Sequence, residues 1–169
     1  TMNDAKRTRM NWVDAGYLKT LNMKPVSGRL FSEDFPGDTS YRMILNETAV
    51  KEVGFGSAED AVNKKVYFDY RGQQYGFEII GVVKDFNYES LHTPVQPLAM
   101  VIKPDTFFRR INDINFSAPS QPRISVRLKA GNLTANLNTL KQVWKQVAPD
   151  QEFEYRFLDE TVAAQYRQE

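Results

Sequence analysis

One stretch of this chain limits the fold more than any other: residues 123–157 change hydrophobic period twice. Arg123 to Lys129 alternates, with Ile124, Val126 and Leu128 on one face, the period-2 pattern of a half-buried strand. From Leu133 the apolar residues Leu137, Leu140, Trp144 and Val147 follow at spacings of three and four, so a helix carries all five in one stripe. Asn132 is a helix-capping residue type, and Pro149 stops the helix. Phe153, Tyr155 and Phe157 then alternate with Glu152, Glu154 and Arg156. Strand, helix and strand in that order predict a β-α-β unit, with the helix seam laid on the apolar faces of both strands. Trp144, in the middle of the seam, is expected to be buried against Ile124, Val126, Phe153 or Tyr155. The outward charges, Arg123, Arg127 and Lys129 on one strand and Glu152 and Glu154 on the other, suit neighbouring positions in one sheet. A further helix is expected from Asp159 to the end, with Val162, Ala163 and Tyr166; lacking a Gly or Pro stop, it reads as leading into a longer chain.

Upstream, the signals are shorter. A first helix is predicted from Asp14 to Met23, ended by Pro25, and Phe31 to Ser40 reads as an acidic loop with Pro36-Gly37 at its tip. Met43 to Leu45 is a short strand. Asn46 caps a helix over Glu47 to Val53, Gly54 closes it in the left-handed conformation, and Ser57-x-x-Asp60 starts one more helical turn. Val66–Tyr70 and Tyr75–Val83 read as a hairpin, and the apolar run Leu98–Ile102 as a central strand covered on both faces. Residues 103–122 read as a long loop pinned by Phe107, Phe108 and Phe116.

Chemistry is hard to find in these residues. With no cysteine, thiol nucleophiles, disulfides and cysteine-ligated zinc are excluded. His92 is the single histidine and has no partner for a triad or a metal site, so it reads as a loop residue. Gly54-Phe-Gly56 follows a helix and has Glu59 where a dinucleotide fingerprint needs its third glycine. Glu33, Asp34 and Asp38 are too few oxygens for calcium and read as a solvated loop. A formal net charge of +1 gives no field for nucleic acid, and no cofactor is implied. No apolar run approaches the ~20 residues needed to span a bilayer.

The segment Ile79-Ile-Gly-Val-Val-Lys-Asp-Phe-Asn-Tyr-Glu-Ser-Leu-His-Thr-Pro94, followed by Pro97-Leu98, is far more specific. It resembles the signature of extracytoplasmic domains in bacterial ABC-transporter permeases of the MacB/FtsX type. Trp12 to Met23 is similar to that family's opening helix, Gly28-Arg29-Leu-Phe-Ser32 to its Gly-Arg-x-Phe turn, and Ile44 to Ala49 to its strand-to-helix step. Phe153 to Asp159 is similar to its last strand before the membrane, so the likeness runs from Asn11 to Glu169. Asn63-Lys64 stands where the family often has Gly-Lys.

The resemblance implies an α+β fold with two subdomains. A smaller, β-rich, sabre-like part covers 11–88 after a tail at 1–10. A connector spans 89–97, and a Porter-like α/β part with the β-α-β unit covers 98–169. Asp85, Phe86, Asn87, Tyr88, Glu89, Ser90, Leu91, His92 and Pro94 become the expected connecting signature, with Phe86 and Leu91 as apolar anchors. The implied role is non-catalytic: a domain on the periplasmic side of a bacterial inner membrane, transmitting ATP-driven motion of membrane helices to an exported substrate or a periplasmic partner protein. Its partners would be the membrane helices of its own, dimeric permease and a separate cytoplasmic ATPase subunit. The rival expectation is a sensor domain that binds a peptide or small molecule between subdomains, in a pocket lined by Tyr70, Phe77, Phe86 and Tyr88.

Overall fold

Strand β5 (Gln73–Val83) is the axis around which the first part of the chain is built. Its sequence changes from polar at Gln73 and Gln74 to uniformly apolar by Ile79, and burial changes in step. The computed structural model describes residues 8–70, 73–86, 94–102 and 123–157. These fall into two compact units, one comprising 1–88 and 93–125, the other 89–92 and 126–169.

In the first unit a mixed sheet runs β1 (Arg9–Val13), β6 (Leu98–Ile102), β3 (Arg42–Asn46), β5 and β2 (Pro25–Gly28). β4 (Lys65–Tyr70) forms the antiparallel hairpin with β5, from Lys65 opposite Glu78 to Tyr70 opposite Gln73. β2 and β4 share one edge of β5, β2 beside Gly81–Val83 and β4 beside Gln73–Glu78. The seam between them is closed by loop amides. Arg29 N–H donates to the Ile80 carbonyl at 2.9 Å, and Asn63 N–H to that of Ile79 at 2.8 Å. Asn63 itself adopts φ 64°, the left-handed turn that glycine would take without strain.

Among the described residues three short α-helices pack on the sheet: α1 (Tyr17–Thr20), α2 (Glu47–Val53) and α3 (Ala58–Ala61). The caps follow from residue type. Asn46 Oδ1 accepts from the Ala49 amide, the Ser57 side chain accepts from the Asp60 amide, and Gly54 ends α2 at φ 100°. One apolar cluster joins α2 and α3 to Met43, Leu45, Phe77, Ile79, Val82, Ala99 and Val101. The other joins Leu18 and Phe31 to Ile44, Ile80, Val83, Leu98 and Met100. The sheet is thus covered on both sides, and each large side chain so buried contributes roughly 1.5–3 kcal/mol.

β5 does not keep a simple alternation. Phe77, Ile79 and Val82 belong to one cluster, Ile80 and Val83 to the other. The phase slips by one residue where the β3 pairing jumps from Met43–Ile79 to Ile44–Gly81. A β-bulge therefore re-aims the end of the strand.

The opening of the chain departs from the sequence pattern. Residues 9–13 form a strand, although 1–10 read as a tail, and the expected helix from Asp14 to Met23 is only Tyr17–Thr20. Asp14 takes the Gly16 amide at 2.7 Å in a local turn, and Asn22 at φ 59° ends the helical run early. β6, placed by the resemblance in the part beginning at 98, pairs with β1 and β3 and so belongs to this sheet.

The second unit is organised on α4 (Leu133–Val147), with Asn132 accepting from the Ala135 amide at 3.0 Å. Trp144 is partly buried; its indole N–H donates to the Gln151 carbonyl at 3.0 Å, and its ring lies 6.4 Å from that of Phe153. The rings of Phe153, Tyr155 and Phe157 follow one another at 5.7 and 5.4 Å. The flanking strands of the expected β-α-β unit are not seen: among the described residues neither 123–129 nor 152–157 is paired into a ladder. Alternation makes a strand only where a neighbour takes its backbone groups and covers its apolar face. Here Ile124 is 75% and Val126 52% exposed, and Val147 at the end of the helical stripe is 77% exposed. The helix expected from Asp159 lies outside the described residues.

Candidate functional site

The signature segment can be followed at its two ends. Asp85, Phe86 and Pro94 are described; Asn87, Tyr88, Glu89, Ser90, Leu91 and His92 lie outside the described residues. Phe86 packs against the cluster that contains Leu18 and Phe31. Asp85 lies just past β5 and grips the start of α2. Its Oδ1 accepts the Thr48 amide at 2.9 Å, its Oδ2 accepts the Thr48 hydroxyl at 2.7 Å, and its own amide donates to Glu47 Oε2 at 3.2 Å. This is the reciprocal logic of a capping box, made across 37 and 38 residues instead of three.

The returning arm meets the same place. Asn46, fully buried at the junction of β3 and α2, donates from Nδ2 to the Gln96 carbonyl at 3.0 Å. Its Oδ1 accepts the Leu98 amide at 2.9 Å and also caps Ala49. Gln96 Nε2 donates to the Pro94 carbonyl at 2.9 Å, which folds the approach to β6 onto itself. Asn46 was legible as a cap because Glu47-Thr-Ala follows it; its bond to a residue 52 positions away has no local signal.

A second polar cluster lies at the Gly-Arg-x-Phe turn. Asp38, expected in a solvated loop, is only 1% exposed. Arg29 clamps it with Nη1 and Nη2, each at 2.6 Å, the Ser32 amide donates at 3.1 Å, and Arg42 Nη1 donates at 3.2 Å. Arg42 Nε also lies 3.4 Å from Glu78, and the Arg29 guanidinium stacks over the Phe35 ring at 4.1 Å. Burial opposes the Asp38 charge, but the Arg29, Ser32 and Arg42 hydrogen bonds outweigh it and hold the carboxyl below its ordinary value of 3.8. Arg29 is shifted up, chiefly by its bond to Asp38. The two arginines neutralise Asp38, while Asp34 accepts a bond from the Ser32 hydroxyl instead, and no cluster fit for a metal occurs among the described residues.

The sign of the Asp38 shift fixes a pH dependence. A depressed folded value means that the charge stabilises the fold fully above 3.8 and ceases to do so as pH falls through the lower, folded value. Asp38→Asn is therefore expected to lie well below wild type in urea stability at pH 7, by about 2–3 kcal/mol, less than for a fully buried pair because both arginines are about one-third exposed. The gap should narrow below pH 3.8. A gap constant between about pH 7 and about pH 2.5 would remove the charge from the explanation.

Arg29, Arg42, Asn63 and Glu78 also line a shallow cleft of about 320 Å³. It is polar, unlike the enclosed apolar cavity of a sensor. Of the aromatic residues expected to line a sensor's pocket, Phe77 is 1% exposed in one core cluster and Phe86 packs on the cluster across the sheet, so these two do not face one cavity, while the Tyr70 side chain lies outside those described. Tyr88 lies outside the described residues.

The comparisons agree with the arrangement of the sheet. Residues 1–140 match the model of the MacB-like periplasmic core domain, a span that holds the signature but stops short of Phe153–Asp159. The periplasmic region of MacB from Actinobacillus actinomycetemcomitans shares the fold, with a TM-score of 0.53 and 20% identity over 83% of this chain. This chain spans 56% of that one. A domain assigned to a permease of Porphyromonas gingivalis gives a TM-score of 0.53 at 13% identity, over 95% of this chain and 73% of that one. No curated protein matches. With the family model matched over most of its length, this chain belongs to the MacB-like periplasmic core domains.

Proposed function

We propose that this domain acts without chemistry of its own, on the periplasmic side of a bacterial inner membrane, and passes ATP-driven motion of its permease's membrane helices to an exported substrate or a periplasmic partner. The observation that carries the reading is the family match over residues 1–140. ATP hydrolysis belongs to a separate cytoplasmic ATPase. The chemistry of the two polar clusters supports this reading, because their central side chains are held by hydrogen bonds within the fold. Asp38 is consumed by Arg29 and Arg42, Asp85 by Thr48, and Asn46 by three backbone groups. Such a domain is suited to holding its shape under load.

Transmission requires a stiff link between the domain and the bilayer, and the segment beginning at Asp159 is the proposed link. A helix rises ~1.5 Å per residue and passes on a displacement only while its backbone ladder is unbroken. A Gly-Gly insertion after Gln165 in the full-length permease, assayed for both ATP hydrolysis and export, tests it. Hydrolysis is expected to continue while export collapses; export at the wild-type level would overturn the coupling role.

A further inference from the structure

The chain leaves the sheet after Val83 and returns to it at Leu98, and the described residues on both sides of 87–93 are fastened to three consecutive residues, Asn46, Glu47 and Thr48. On the outgoing side, Thr48 gives Asp85 its amide and its hydroxyl, and Glu47 receives the Asp85 amide. On the returning side, Asn46 binds the Gln96 carbonyl and the Leu98 amide. We propose that the first turn of α2 is a two-armed seat, and that Glu47, Thr48 and Asp85 are positioning residues that make the chain on either side of 87–93 move as one body with the β3–α2 core. The transport consequence rests on the coupling function proposed above.

Three features point beyond ordinary packing. The Ala49 amide is already capped by Asn46, so α2 has its own local start and does not depend on Asp85 for it. Asp85 is held through carboxylate and amide together, which removes both the rotation of its side chain and the sliding of its backbone. Hydrogen bonds to a carboxylate are about twice as strong as neutral ones, and two of the three made by Asp85 are of that kind on its own oxygens, the third on those of Glu47. Asn46 holds the returning arm with no exposure to water, so a shift of that arm must disturb bonds that solvent cannot replace. The two arms are therefore coupled through consecutive residues of one helix start, Asn46 for the returning arm and Glu47 and Thr48 for the outgoing one.

Amide hydrogen exchange of this chain tests the seat without any transport assay. Asp85→Ala and Thr48→Val are each expected to speed exchange at position 48 and at Leu98 about tenfold, the loss of one charge-assisted bond. Amides of Phe77 and Val82 in β5 should change less than about twofold, because the core sheet is not opened. Thr48→Ser, which keeps the hydroxyl, should retain the wild-type pattern, and the double variant should be no faster than either single one. An unchanged Leu98 amide, or an equal rise throughout β5, would overturn the proposal. In the full-length permease, Asp85→Ala and Thr48→Val should lower export while ATP hydrolysis persists, and wild-type export by both, where the Gly-Gly insertion abolishes export, would refute their role in transport. If the amide pattern holds while the Gly-Gly insertion exports normally, the coupling function fails and the seat stands.

Discussion

Gly81→Ala is expected to destabilise the first unit by about 3 kcal/mol, the upper part of the range for overpacking a closed interior. A methyl group at this position would lie 2.1 Å from the Arg29 carbonyl oxygen and about 3 Å from two more atoms of the same backbone. That backbone cannot withdraw, because the Arg29 amide is bonded to Ile80 and its side chain is clamped on Asp38. Gly28 faces Gly81 in the β2–β5 pair, and a methyl there would meet the Ile80 carbonyl at 2.3 Å, so the two strands approach too closely for side chains on either. Gly76 provides the contrast. An added methyl would be 2.7 Å from the Tyr67 ring, which is 55% exposed and free to swing. Urea unfolding should separate the two, with Gly81→Ala shifting the midpoint strongly and Gly76→Ala by less than about 1 kcal/mol. Near-native stability of Gly81→Ala would mean that the bulge at Ile80 relaxes to make room.

Asn46→Ala should cost about 4 kcal/mol. Three backbone groups lose their partner at once: the Ala49 and Leu98 amides and the Gln96 carbonyl. Each costs about 1–3 kcal/mol when left unsatisfied in the interior, and the site is closed to water. Asn46→Asp restores both acceptor bonds but buries a charge and turns an oxygen toward the Gln96 carbonyl, so it should rescue little. Denaturant melts of the three proteins check this; a loss near 1 kcal/mol for Asn46→Ala, the usual value of a surface N-cap, would show that only the Ala49 bond matters.

How much of this was legible depended on distance along the chain. Caps at Asn46, Ser57 and Asn132, the Gly54 stop and the β4–β5 hairpin were readable because each is written within a few residues. Leu98–Ile102 was readable as a strand covered on both faces, but not its neighbours, since a uniform apolar run says nothing about pairing. Asp38 looked like a solvated acid because its arginines lie nine residues before it and four after it, with no motif linking the three. The bulge at Ile80 was hidden in Ile-Ile-Gly-Val-Val, where any phase buries an apolar side chain. Asp85 drew attention only through the family signature. Its partner Thr48 had no signal of its own, because the bond depends on two strand ends arriving side by side. The strands expected on either side of α4 had the right alternation, yet alternation describes one chain segment and a ladder needs two.

The place of β6 also sets an order in time. β1 pairs in parallel with β6, Arg9 opposite Leu98 and Val13 opposite Ile102. Synthesis at about 5–20 residues per second leaves β1 waiting on the order of ten seconds for that neighbour, whereas a hairpin closes in about 1–10 μs. β4 and β5 can therefore zip, and β3 can dock beside them, while Arg9–Val13 is still without its ladder. Arg9 places a positive charge at the head of that waiting strand, a feature that discourages mistaken edge-to-edge pairing. Among the described strands the order of synthesis thus favours growth from the middle of the sheet outwards, with β1 joined only once β6 has been made.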